Sequence, residues 1–226
     1  MKVLALGDPH GKLPKNLDSI IKKNKIETII CIGEVFPIKR DKKNRGKANM
    51  KTGEKILDKL CSYKIPMIFF KGNMFLSGEG LKIFQKLLGK YKEKYPNLKY
   101  KRLGKFEIKG RSFIVFDMIY EEHSHQMLSK YFTDARKNEK RIERLNKLLK
   151  ENKEAILLSH APPYGYLDKI HSGKHIGSKF LLDTIKKSSP KLVLCGHIHE
   201  AKGKAKIGKT EIYNLGCCED YKIFDF

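Results

Sequence analysis

Seven residues of metal-ligand type recur at the ends of short apolar runs: Asp8 and His10, Glu34, Asn73, His160, and His197 with His199. Carboxylate oxygens, an amide oxygen and neutral imidazoles form the donor set of divalent transition metals. The spacings Asp-x-His and His-x-His each put two donors on one turn. The set is large enough for two metals sharing a bridging carboxylate, and metals about 3.5–4 Å apart suit hydrolysis at phosphorus. Singly, each residue has a structural alternative: Asp8 could cap a helix, Asn73 hold a turn, and His160 sit satisfied in a core. As one set at successive run ends, they predict a metal site.

The runs that must position these residues read as strands: Lys2–Gly7, Thr28–Gly33, Met67–Gly72, Phe113–Asp117, Ala155–Ser159 and Leu192–Gly196. Amphipathic helical patterns lie between them. Leu13, Leu17, Ile20 and Ile21 share a helical face, as do Ile56, Leu57, Leu60 and Cys61. So do Leu81, Phe84, Leu87, Leu88 and Tyr91, and then Ile142, Leu145, Leu148 and Leu149 within Arg136–Lys150. Such alternation predicts an α/β sheet with helices on its faces, whose functional groups gather outside the carboxyl ends of the strands. Gly203–Ile207, Thr210–Leu215, Tyr221–Phe224, Tyr100–Leu103 and Phe106–Ile108 read as antiparallel additions. No repeat or interdomain linker breaks the pattern, so residues 1–226 are expected to form a single domain.

The 226 residues carry 48 Lys and Arg against 25 Asp and Glu, a formal charge of +23. A field of that sign attracts polyanions; compositional drift toward lysine on solvated helix faces is the alternative. One stretch has a more specific claim. Lys39, Arg40, Lys42, Lys43, Arg45 and Lys47 are opposed only by Asp41, which predicts an exposed basic loop after Glu34, with Lys39, Arg40, Lys42 and Lys43 as substrate-binding candidates. The five cysteines, Cys31, Cys61, Cys195, Cys217 and Cys218, form no CxxC pair and fit a reducing compartment. The adjacent Cys217-Cys218 could be a redox or metal element or two idle thiols. Met1-Lys2 runs straight into a strand pattern and no apolar run approaches the ~20 residues of a membrane span, so a cytoplasmic protein without membrane partners is expected.

The motif series resembles that of the calcineurin-like metallophosphoesterases. It reads Gly7-Asp8-Pro9-His10-Gly11, Gly33-Glu34, Gly72-Asn73-Met74, Ser159-His160-Ala161-Pro162-Pro163 and Gly196-His197-Ile198-His199. Within that superfamily the chain is similar to the Icc-related predicted phosphoesterases of archaea and bacteria, through Ser159–Gly165, Ser172–Ser178 and the Asn214-Leu215-Gly216 turn. The resemblance implies a four-layer α/β/β/α sandwich of mixed sheets with helices on the outer faces. It implies two divalent ions, manganese first, with iron or zinc as alternatives. Asp8, His10 and His199 would hold one ion and Asn73, His160 and His197 the other, with Glu34 in the bridging place. The activity implied is hydrolysis of a phosphodiester or phosphomonoester, with nucleotide-like anions as substrates and nucleic acid as a further candidate partner.

Two positions depart from the family pattern. Glu34 stands where the family has Asp, and Met74 where many members have the histidine that protonates the leaving group. Loss of general acid help is worth roughly 10²–10⁴-fold. His175 is the leading substitute acid beside Asn73, with His123 and His125 as further candidates. The departures also support an alternative in which the fold serves as a catalytically degenerate nucleic-acid-binding or scaffolding protein.

Overall fold

Val3–Leu6, Thr28–Ile32 and Met67–Phe70 are unbroken apolar or β-branched runs, and every residue in them is buried. Unalternated burial of this kind is what parallel strands covered on both faces require. The computed structural model describes residues 1–37, 47–72, 78–117 and 135–226. It divides into two compact units: residues 1–100 with 217–226, and residues 101–216.

The first unit contains β1 (Lys2–Leu6), α1 (Leu17–Asn24), β2 (Thr28–Ile32), α2 (Lys47–Ser62), β3 (Met67–Phe70), α3 (Gly78–Lys94) and β4 (Leu98–Tyr100), in that chain order. The second contains β5 (Leu103–Ile108), β6 (Arg111–Phe116), α4 (Ala135–Glu151), β7 (Ile156–Ser159), α5 (Lys179–Ser188), β8 (Leu192–Cys195), β9 (Gly203–Ile207) and β10 (Thr210–Asn214). The chain then returns to the first unit as β11 (Tyr221–Asp225).

In the first unit the strand order is β11-β1-β2-β3-β4, with β1 to β4 parallel and β11 antiparallel at the edge. Alternate residues Leu4, Leu6, Ile29, Cys31, Met67 and Phe69 form a core with Leu17, Leu57, Leu60 and Phe84. Fully burying each such aliphatic or aromatic side chain contributes about 1.5–3 kcal/mol. The register pairs Leu6 with Cys31 and Ile32 with Phe70. One sheet edge therefore collects the residues that follow β1, β2 and β3.

The second unit has the order β5-β6-β7-β8-β10-β9, with β6, β7, β8 and β10 parallel. Ile114, Phe116, Leu157, Val193 and Cys195 pack against Leu145 and Leu149 of α4 and Leu181 and Ile185 of α5. Phe116 lies beside Ser159, and Leu158 beside Leu194, so Asp117, His160 and Gly196 leave the sheet together. Mixed α/β architecture with helices against two mixed sheets is thus observed.

The expected antiparallel additions need correcting at two strands. β4 runs parallel to β3 because α3 carries the chain back before it, and the strand covers Leu98–Tyr100 rather than Tyr100–Leu103. β10 runs parallel to β8 because the chain reverses twice, once between β8 and the outermost β9 and again in the hairpin through Gly208 and Lys209. Lys47, read as the end of the basic loop, opens α2 instead.

Candidate metal centre

Asp8 is the second residue beyond β1 and is fully buried, and Glu34 follows β2 with 4% exposure. The Glu34 backbone N–H donates to Asp8 Oδ1 at 2.7 Å, and the Cys218 N–H donates to the Asp8 carbonyl at 2.7 Å. The His10 N–H donates to the Glu34 carbonyl at 2.8 Å, which ties the two turns together. Burying carboxylates costs several kcal/mol each unless donors or cations meet them. A turn carrying two buried carboxylates therefore suits a divalent ion.

His10 supplies a sharper test. Its Nδ1 lies 3.0 Å from the Phe36 carbonyl oxygen. A carbonyl only accepts, so Nδ1 carries the proton and Nε2 presents its lone pair. This is how metal-ligating histidines are usually held, the second nitrogen donating to a carbonyl or carboxylate. His10 also has a left-handed backbone, φ 45°, followed by Gly11 at φ 82°. Gly11 is required there: a Cβ would lie 2.9 Å from Thr52 Cγ2 and 3.2 Å from Pro37 Cγ.

In the second unit, His160 N–H donates to the Asp117 carbonyl at 3.1 Å and Gly196 N–H to the His160 carbonyl at 3.0 Å, extending the parallel ladder past the strands. His160 is fully buried, and its ring lies 4.7 Å from that of His197, centroid to centroid. His197 has φ 68°, a conformation costing about 1–3 kcal/mol for a residue with a Cβ. His10 and His197 are two of the eight non-glycine residues with positive φ among the described residues. Asn214 Nδ2 donates to the Ile198 carbonyl at 2.8 Å and the Leu167 carbonyl at 3.1 Å. It thereby fixes the segment between His197 and His199, the latter opening a short 3₁₀ turn.

Asp8, His10 and Glu34 are thus gathered in one unit, and His160, His197 and His199 in the other. Asn73, Met74, the basic residues Lys39, Arg40, Lys42 and Lys43, and His123 and His125 lie outside the described residues. His175 is held by a residue that the motif reading missed. Its Nδ1 is 2.5 Å from Oδ1 of the fully buried Asp168. Asp168 lies between two family-like motifs, and its burial is not encoded in any local pattern of the sequence.

Two thiols near these turns, Cys31 and Cys217, are held in the protonated form. Burial, reinforced by the Asp8 charge, pushes Cys31 well above the usual thiol range. Cys217 is pushed up to about 12, first by burial and then by its hydrogen bond with Cys218.

The sequence profile of the calcineurin-like phosphoesterases matches residues 1–201. The chain belongs to the calcineurin-like phosphoesterase family. As a family member it is 23% identical over 234 aligned positions to an uncharacterized protein of Methanocaldococcus jannaschii, covering 100% of this chain and 92% of that one. A 65-residue stretch is 37% identical to metallophosphoesterase domain-containing protein 1 of Homo sapiens, covering 28% of this chain and 20% of the human protein. The matched stretches span 17%, 23% and 20% of the animal relatives, less than a quarter of their lengths. In fold, the chain is similar to a dimetal phosphatase from Danio rerio, with TM-score 0.61 and 10% identity over 99% of this chain and 91% of the other. Among the described residues no helix is long and apolar enough to cross a membrane.

Proposed function

We propose that this family member is a metal-dependent phosphoesterase acting on a phosphodiester or phosphomonoester, with nucleotide-like anions favoured. The observation that carries the reading is the His10 geometry, in which Nδ1 donates to the Phe36 carbonyl and the lone pair falls on Nε2. On this reading Asp8, His10 and His199 would hold one ion and Asn73, His160 and His197 a second, with Glu34 as the shared carboxylate. Such ions would polarise the phosphoryl oxygens and lower the pKa of the attacking water. Manganese, iron and zinc all suit the donor set.

The chain's own groups supply the rest. Asp168 orients His175 by accepting its Nδ1 proton; when Nε2 is also protonated, the ring can give that proton to a leaving oxygen. His175 is 37% exposed at its side chain, as a proton donor to substrate must be. Lys39, Arg40, Lys42 and Lys43 would draw in the anion. The test is metal content with turnover: about two equivalents of transition metal and hydrolysis of a bis-aryl phosphate that disappears in His160→Ala. Zero to one equivalent and no turnover with Mn²⁺ supplied would refute the proposal.

Glu34 and Met74 favour a second reading, a family member that binds nucleic acid or scaffolds without turnover. Retained oligonucleotide binding in a protein that hydrolyses no phosphoester would select it.

A further inference from the structure

Arg102 and Arg141 converge on one buried carboxylate in the second unit. Arg102 Nε lies 2.6 Å from Asp117 Oδ2, and Arg141 Nη2 bonds the other oxygen. The Arg141 guanidinium also lies over the Phe116 ring, 5.4 Å from its centroid. Two guanidinium groups are thereby fixed at the mouth of a cleft of ≈ 400 Å³ lined by Lys101, Arg102, Leu103, Lys140, Arg141 and Arg144. That volume falls within the range of pockets for nucleotide-sized ligands, about 300–1,000 Å³.

The charges do not cancel. Five cations line the cleft and no carboxylate is among its lining residues; Asp117 is shared by Arg102 and Arg141 alone of the five. Lys101 is held in place by its bond to the Lys105 carbonyl at 2.7 Å and by its position over the Phe106 ring. Lys140 and Arg144 are exposed, and no ion pair engages either among the described residues. They are one turn apart on α4, so their side chains project about 6 Å from one another along one face. Glu143, three residues from Lys140, neighbours it on the helix surface, but neither Glu139 nor Glu143 lines the cleft. A concentration of cations in a concave surface focuses positive potential and raises the local concentration of anions.

The cleft is also linked to the candidate metal centre. The Asp117 carbonyl, on the residue that anchors both arginines, accepts the His160 N–H at 3.1 Å. An anion seated among these side chains thus lies beside a strand end that carries a motif histidine.

We infer that this cleft binds the backbone of a single-stranded nucleic acid, with Lys140 and Arg144 contacting separate phosphates and Arg102 and Arg141, fixed on Asp117, adding to the positive field. A strand offers successive phosphates to match the paired cations, which a single phosphate group does not. Guanidinium groups match phosphate oxygens two at a time. The inference deepens the phosphoesterase reading by naming a substrate class, and depends on that reading only for turnover.

The test measures binding of fluorescein-labelled 20-mer single-stranded DNA and RNA of mixed sequence by anisotropy across a salt series. The comparison is between the wild type, Lys140→Glu/Arg144→Glu, and a control of equal charge change, Lys186→Glu/Lys187→Glu on exposed positions of α5. The cleft variant is expected to lose about tenfold or more in affinity for at least one strand, with its log–log salt slope shallower by about 1.4, the value for two lost contacts to a single strand. Unchanged affinity for both strands, or an equal loss in the α5 control, would overturn the inference. Hydrolysis of a bis-aryl phosphate by the wild type reports separately on the phosphoesterase reading. Each idea can therefore fail while the other stands.

Discussion

Asp168 holds His175 by a 2.5 Å contact between Oδ1 and Nδ1, while its Oδ2 accepts the backbone N–H groups of Gly165 at 3.0 Å and Gly177 at 2.8 Å. One fully buried carboxylate thus organises the segment between β7 and α5 and orients the candidate proton donor. Hydrogen bonds to a charged group contribute about 1.5–3 kcal/mol each. Asp168→Ala is expected to destabilise the protein by about 3 kcal/mol or more in urea unfolding. His175→Ala removes one of those three bonds and should cost less, about 1.5 kcal/mol. It should instead lower turnover, most for substrates with leaving groups of high pKa. Equal destabilisation by the two substitutions would show that His175 is a structural member of the segment.

Gly177 makes the same point sterically. A Cβ there would sit 2.8 Å from the Pro162 carbonyl oxygen and 2.8 Å from Asp168 Oδ2. Overpacking of this kind costs about 1–3 kcal/mol, so Gly177→Ala should lower the melting temperature. Gly89→Ala is the internal contrast: the position lies within α3 with nothing inside 4 Å of the added carbon. Alanine is favoured over glycine there by about 0.8–1 kcal/mol, and the melting temperature should hold or rise.

The strands and motif residues were legible because both are local. β1, β2, β7 and β8 appear as unbroken apolar runs, each closed by the turn that carries a ligand-type residue. The direction of β10 was not legible, because it depends on which side of β8 the hairpin docks, a choice made by packing rather than by period. Asp168 was invisible for a similar reason. An aspartate between Leu167 and Lys169 reads as surface, and only the fold brings the amides of Gly165 and Gly177 and the ring of His175 around it. Asp117 could be placed at a strand end, but its two arginines come from positions 15 residues before it and 24 after.

Metal binding should register as stability. A ligand that binds only the folded state at a hundred times its Kd contributes about 2.7 kcal/mol, so Mn²⁺ should raise the melting temperature of the chelator-treated protein. Asp8→Asn keeps an oxygen to accept the Glu34 N–H but removes the buried charge. The variant should therefore melt no lower than the metal-free wild type while losing most of the Mn²⁺-dependent rise. A full rise in Asp8→Asn, followed by differential scanning fluorimetry, would remove Asp8 from the ligand set.

The two departures from the family pattern can be reversed separately because they affect different steps. Glu34 is one methylene longer than the aspartate it replaces, so its reversal bears on metal occupancy. Glu34→Asp should bring the content measured by metal analysis closer to two equivalents if the longer side chain displaces one ion. Met74 bears on proton delivery. Met74→His should raise turnover of alkyl phosphoesters, whose leaving groups need a proton, by up to about 10²–10⁴-fold. It should leave nitrophenyl esters nearly unchanged, since those depart unprotonated. If the alkyl-to-aryl rate ratio does not move in Met74→His but collapses in His175→Ala, the proton already comes from His175.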